Sequence, residues 1–279
     1  MICDLHTHST YSDGTFTPRQ LLCEAERTGL SAVALTDHNT VAGLPDFLSA
    51  AVNSPVEGIP GIEFSSDYQN TELHIVALFI RPEHYAPITR LTDEMNLRKQ
   101  QSNIDLIDKL NRAGYAIDYQ AIKASMPAGE PNRALIAAEL TRLGYTASNK
   151  EAFQTLLGSN CGYYVPPKRI DVFELLKFIR ELGAVSILAH PYLSLKDTEK
   201  LLGFLGPASE AGLQAMETHY PLFSPAQTME LENLAHRFHL AQSGGSDFHG
   251  ENKPDIQLGS GTGSLRVPIS FLEQLRHLL

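Results

Sequence analysis

A chain of 279 residues is long enough to bury a sizeable core without disulfides or other staples. Its formal charge of -10 and pI near 5.5 argue against a dedicated binder of long nucleic acid, which relies on Lys and Arg against phosphates. Three scattered cysteines (Cys3, Cys23, Cys161) fit neither a zinc ribbon nor a secreted disulfide framework. No run reaches the roughly 20 apolar residues of a membrane span, and the start lacks a basic-then-apolar leader, so a cytoplasmic, membrane-free protein is expected.

Taken in chain order, apolar runs at 2–6, 32–36, 59–64 and 73–80 read as strands, with helical patterns at 18–28 and 41–52. Pro18 just inside the first helix and Gly29 just past it mark its ends. The rhythm then breaks. Between 85 and 165 only helical periodicity is found, at 88–113, 119–125 and 133–143, bounded by Arg81-Pro82 and by Pro166-Pro167. Helices at 171–182, 195–204 and 225–238 then alternate with strands at 184–188, 213–216 and 239–242. Seven strands in alternation with helices predict a parallel α/β sheet, open or closed into a barrel. The expected domains are a barrel of residues 1–84 and 166–279 and a helical insertion of 85–165 acting as a cap.

The strongest local signal is Asp4-Leu5-His6-Thr7-His8, followed by Ser12-Asp13-Gly14. In an extended chain His6 and His8 project to one face, close enough to grip a single ion, and Asp13 sits in a turn that can return to it. A pair of histidines alone would mean little. The same placement recurs at other strand ends, however: Thr36-Asp37-His38, Gly61-Ile62-Glu63, Ala189-His190-Pro191 and Gly244-Gly245-Ser246-Asp247-Phe248-His249. Carboxyl ends of parallel strands are where α/β proteins assemble their sites. His74 is the exception, because in a parallel sheet it would lie at the opposite end of its strand.

Imidazoles mixed with carboxylates suit manganese, iron or zinc, whereas magnesium and calcium sites are oxygen-dominated. Nine candidate ligands (His6, His8, Asp13, His38, Glu63, His74, His190, Asp247, His249) suffice for two or three divalent ions. Such a cluster positions a hydroxide for in-line attack and stabilises both attacking and leaving oxygens, which is the chemistry of phosphate-ester hydrolysis.

In these motifs the chain resembles the polymerase and histidinol phosphatase (PHP) family of metal-dependent phosphoesterases. The resemblance spans nearly the whole chain and implies a distorted (β/α)7 TIM-like barrel of seven strands with the helical insertion. It implies one metal on His6, His8, Glu63 and Asp247, a second on Glu63, His74 and His190, and a third on Asp13, His38 and His249. Asp4 and Asp37 would orient imidazoles, and Glu63 and Asp247 would take part in catalysis.

The length and insertion resemble the small stand-alone branch, which includes nucleotide phosphatases and short-RNA 5′ exonucleases. That branch often carries Gly-Arg-Pro-His in the insertion, where this chain has Gly129-Glu130-Pro131-Asn132-Arg133, so phosphate recognition is expected to differ. It tends to have Glu-Val-Tyr-His after the sixth strand, where this chain has Glu217-Thr218-His219-Tyr220, leaving His219 as the candidate general acid or phosphate ligand. Arg133 and Lys168 are further substrate candidates, whereas Arg169 is expected to be solvated and Tyr163 and Tyr164 to be packing residues.

The leading expectation is hydrolysis of a small phosphorylated substrate, a nucleotide or short oligonucleotide, by a metal-bridging hydroxide, with no obligate protein partner. An amidohydrolase-type hydrolase also opens with His-x-His but often uses a carboxylated strand lysine, which no predicted strand here carries. The non-enzymatic alternative is a metal-stabilised barrel that binds a phosphorylated ligand without turnover.

Overall fold

The computed structural model describes residues 1–124 and 131–279, which divide into two compact units. The first contains Met1–Thr89 and Arg169–Leu279, and the second contains Arg90–Lys168.

The first unit begins with β1 (Ile2–Asp4), α1 (Pro18–Arg27), β2 (Ala32–Leu35), α2 (Leu44–Ala51), β3 (Glu57–Tyr68) and β4 (Thr71–Leu78). Helix α1 starts where its sequence says it should: Thr17 and Gln20 exchange a capping box, and Pro18 occupies a position needing no N–H. The chain returns with β5 (Ile170–Asp171), α3 (Val172–Leu182), β6 (Val185–Leu188), α4 (Pro191–Ser194), α5 (Thr198–Ala211), β7 (Ala215–His219), α6 (Pro225–Arg237), β8 (Ala241–Gly244), β9 (Val267–Pro268) and α7 (Ile269–Arg276). The Asp171 carboxylate caps α3, and Gly183 ends it at φ 67°, a left-handed conformation that costs glycine little.

These strands form one sheet in the order β8-β7-β6-β4-β3-β2-β1-β9, with β5 on β3. The sheet curls into a nearly closed barrel. Leu5 N–H donates to the Gly244 carbonyl, and residues beyond β1 and β8 continue the seam through a parallel bridge between Thr7 and Phe248. Cys3, Leu5, Ala34, Val76, Ile187 and Val267 pack in one buried core cluster. Fully burying a side chain the size of Val or Ile contributes about 1.5–3 kcal/mol relative to exposure.

Two expectations are corrected. The sheet has nine strands among the described residues rather than seven, the additions being the two-residue β5 and β9. It is also not wholly parallel: β3 and β4 form a hairpin from Gly61 opposite Leu78 to Tyr68 opposite Thr71, and β4 runs antiparallel to β6 as well. Gln69 and Asn70 both have positive φ (52° and 63°), the conformation of a tight hairpin turn whose twist matches its strands. Without the usual glycine, that turn is hard to read from sequence.

The second unit is helical. Most of the 28-residue helix Tyr85–Arg112 belongs to it, with Tyr119–Ala124, Arg133–Arg142 and Asn149–Ala152 following. Its buried residues include Leu106, Leu110, Ile122, Ile136, Leu140 and Leu157, which form a core of their own. Among the described residues no helix is long and apolar enough to cross a membrane.

Candidate metal centre

His6 and His8 lie just past β1 on the extended seam of the barrel, and both are fully buried. Thr7 between them faces the other way and donates its hydroxyl to the Ala34 carbonyl, as alternation along an extended chain requires. The seam is tight. A Cβ on Gly245 would lie 2.4 Å from His6 Cβ, and one on Gly14 would lie 2.4 Å from the His8 carbonyl oxygen, so both positions require glycine.

Glu63 sits at the middle of the cluster because β3 carries it beside the strand end bearing His38; Asn39 N–H donates to the Glu63 carbonyl at 2.9 Å. Its Oε1 lies 2.8 Å from His74 Nδ1 and 3.0 Å from His190 Nε2. Its Oε2 lies 2.9 Å from His38 Nδ1, 3.2 Å from His6 Nε2 and 3.3 Å from His8 Nε2. The polarity objection to His74 disappears, because the antiparallel β4 sets His74 opposite Ser65, two residues past Glu63.

On the other side Asp247 Oδ1 is 3.2 Å from His8 Nε2, and Asp13 Oδ1 is 3.2 Å from His249 Nε2. His249 Nδ1 is 2.8 Å from the Asp247 carbonyl oxygen, which turns Nε2 toward Asp13. All nine predicted ligand residues thus meet, in four overlapping groups among the described residues. These are His6 with His8 and Asp247; His6 with Glu63 and His190; His38 with Glu63 and His74; and His8 with Asp13, His38 and His249. His6, His8 and Glu63 have side chains 0% exposed, whereas Asp13, His38 and His74 are 16–21% exposed, so the cluster opens on that side.

The donor set fits divalent ions. His6 Nε2, both nitrogens of His8, Glu63 Oε2 and His190 Nδ1 are buried without a hydrogen-bond partner, which is costly unless something else satisfies them. The electrostatics point the same way. Burial opposes charge on His6, His8 and His74, yet the surrounding carboxylates outweigh it: His6 is held well above the usual imidazole value, His8 rises to about 9 and His74 to about 10. Asp13, Glu63 and Asp247 titrate well below the usual carboxylate range, because neighbouring imidazoles, with Lys253 at Asp247, outweigh their burial. His38 moves down to about 4, since burial there exceeds the pull of Glu63 and Asp13. The cluster demands positive charge, and ligand nitrogens that hold protons can exchange them for a cation.

The imidazole-orienting role implied for Asp4 and Asp37 is corrected. Asp4 accepts from the backbone N–H groups of Ser246 and Gly259, each at 2.8 Å, and Asp37 accepts from Ser9 and Ser12. Both brace loops instead. The orienting carboxylate is Glu217, 1% exposed on β7, which accepts from His6 Nδ1 at 2.8 Å and from the His190 backbone N–H at 2.6 Å. His190 needs that anchor, because its φ of 28° is unfavourable for a residue with a side chain. A carboxylate inside an apolar strand was the available signal, the same one that marked Glu63. Tyr220 and Lys253 also escaped the sequence reading; both donate to Asp247 Oδ2, at 2.8 and 2.6 Å.

His219 is not brought to this cluster. A register shift between Glu217 and His219 turns its ring onto Phe271, with Nδ1 at Thr218 and Nε2 3.8 Å from Glu232. Arg133 lies in the second unit with its guanidinium over the Tyr164 ring at 4.1 Å, and Lys168 is exposed at that unit's last position. Asn132 caps its helix by accepting from Leu135 N–H, whereas Glu130 lies outside the described residues. Arg169, expected in solvent, is only 11% exposed and pairs with Glu72 at 2.6 Å, whose other oxygen lies 3.6 Å from His74 Nε2. Tyr164 is buried, and Tyr163 packs beside Tyr115.

The profile of the PHP domain matches residues 4–168. The chain is 31% identical over 249 residues to the 5′-3′ exoribonuclease of Haemophilus influenzae, covering 88% of this chain and 89% of that protein. It is also 31% identical over 261 residues to the phosphoribosyl 1,2-cyclic phosphate 1,2-diphosphodiesterase of Eggerthella lenta, covering 90% and 95%. A crystal structure from Bifidobacterium adolescentis, provisionally named a metal-dependent phosphoesterase, superposes with a TM-score of 0.85 at 25% identity, over 99% of this chain and 96% of its own. Profile, full-length relatives and barrel agree: the chain belongs to the PHP domain family.

Proposed function

We propose that this protein hydrolyses phosphate esters carried on ribose, in nucleotides or at the 5′ ends of short oligonucleotides, with two or three manganese, iron or zinc ions. The observation that carries the reading is the convergence of nine imidazole and carboxylate side chains around buried polar atoms that have no hydrogen-bond partner. The RNA and phosphoribosyl substrates in the names of the two relatives share a phosphate ester on ribose, which supports this substrate class.

His6, His8, Glu63 and Asp247 would hold one ion; Glu63, His74 and His190 a second; Asp13, His38 and His249 a third. Bound there, the ions supply Lewis acidity and positive charge at the phosphoryl group. Glu63 would serve two of these sites, since its two oxygens face different sets of imidazoles. Asp247 keeps Oδ1 toward His8 while Tyr220 and Lys253 occupy Oδ2, which holds the carboxylate in one orientation. The more exposed side, at Asp13, His38 and His74, would admit the phosphate.

Metal content by mass spectrometry on protein purified without chelator, beside hydrolysis of a mononucleotide panel with and without manganese, tests the proposal. Two or three bound ions, with turnover that His8→Ala and Asp247→Ala abolish, are expected. Absence of metal under every loading condition would overturn it.

A further inference from the structure

An aromatic strip runs outward from the metal centre along the loops that follow β6 and β7. The ring of His190 lies 5.5 Å from that of Tyr220, Tyr220 lies 5.1 Å from Phe223, and Phe223 lies 5.9 Å from Tyr192. At its inner end the strip is tied to the cluster, because Tyr220 donates to Asp247 and is 6% exposed. Outward it becomes accessible: Tyr192 and Phe223 are half-buried, and their neighbours Leu193 and Leu222 are 43% and 60% exposed. Tyr192 is steadied at its hydroxyl, 3.4 Å from Thr198 Oγ1, whose own hydroxyl donates to Glu230.

We infer that Phe223 and Tyr192 form a stacking subsite for the base of a nucleotide whose phosphate sits at the metal centre. A nucleobase is flat, largely apolar on its faces and joined through ribose to the phosphate, which suits an aromatic surface continuous with the cluster. The strip presents aromatic ring faces and edges, so it would favour a base without a hydrogen-bond code for its identity. The inference deepens the phosphoesterase reading and rests on it. It commits the substrate to the base-bearing class, in preference to a bare sugar phosphate.

The test compares AMP with ribose 5-phosphate, which differ by the base, using the metal-loaded protein and its Phe223→Ala and Tyr192→Ala variants. The ratio of kcat/KM for AMP to that for ribose 5-phosphate is expected to fall roughly 5- to 150-fold in Phe223→Ala, the range that loss of one stacked base implies, mainly through KM. Phe223→Tyr, which keeps the ring, should restore it. A ratio that stays constant while both substrates lose activity would overturn the inference and make the strip a support for Tyr220.

Should the wild-type protein turn over neither substrate, small monophosphates leave the proposed substrate range, and the base subsite is tested without turnover. Stacking is then read from the fluorescence of 2-aminopurine riboside 5′-monophosphate. Quenching that Phe223→Ala abolishes sustains the base subsite, and absence of quenching sinks it.

Discussion

Glu217 and His6 share a buried hydrogen bond of 2.8 Å, and the other oxygen of the same carboxylate holds the backbone N–H of His190. One side chain on β7 therefore sets the ring orientation of His6 and the strained backbone at His190, two residues that flank Glu63. Carboxylates in this position typically govern metal affinity by about 10–100-fold. Glu217→Ala is expected to lower metal retention by that order, and Glu217→Gln by less, because the amide keeps one acceptor oxygen. Metal content after dialysis against graded chelator, with circular dichroism as the check on folding, measures it. Equal retention in wild type and Glu217→Ala would remove this role.

Removing the metal should expose a pH dependence of stability with a defined sign. His6, His8 and His74 have folded pKa values raised above the unfolded imidazole value near 6.5, to about 9 for His8 and about 10 for His74. Their contribution is complete below pH ~6.5 and is lost as pH rises through the folded values. On the acid side, Asp13, Glu63 and Asp247 are depressed, so their contribution, present above roughly pH 4, is lost as pH falls through the folded values. His38, lowered to about 4, adds to the loss as pH drops below ~6.5. The metal-free Tm is thus expected to fall between pH 6.5 and 10, and the stabilisation given by added manganese to grow over the same interval. Thermal melts with and without chelator would contradict this if the metal-free curve stayed flat.

Gly245→Ala is expected to damage the centre without removing a ligand. The added Cβ would meet His6 Cβ at 2.4 Å and the His6 backbone nitrogen at 2.5 Å, and neither can yield without moving the seam between β1 and β8. Overpacking of this kind costs about 1–3 kcal/mol. Denaturant unfolding should show that loss together with weaker metal retention, whereas wild-type values for both would show that the seam is pliable.

Tyr220 and Lys253 hold the same oxygen of Asp247, so their removal should not be additive. Tyr220→Phe and Lys253→Met each leave one donor in place, and the double variant leaves none at Oδ2 of a largely buried carboxylate. The double variant is expected to lose more metal affinity than the two single losses combined. Titration of manganese into the four proteins of the cycle checks it; strict additivity would mean that the two donors act independently.

Much of the site was legible because its signals are local. His6 and His8 share a face through the two-residue period of an extended chain, Glu63 is a charge ending an apolar run, and Pro18, Asp171 and Gly183 mark helix ends by their own conformational limits. Glu217 carries the same signal as Glu63, a charge within an apolar run. Chain order also marked the boundaries of the helical stretch, since its apolar spacing changes from two to nearly four.

The sequence by itself thus determined which imidazoles and carboxylates stand at the strand ends, the α/β alternation and the helix ends, all set by backbone geometry over a few residues. Tertiary structure decided what depends on pairing between distant segments. The β3–β4 hairpin reversed a strand and set His74 opposite Ser65, although its Gln69-Asn70 turn carries no glycine to announce it. The irregularity between Glu217 and His219 turned His219 onto Phe271, while Tyr220 donates to Asp247. A register shift of one residue changes the face of a side chain, and register is settled by the neighbouring strand.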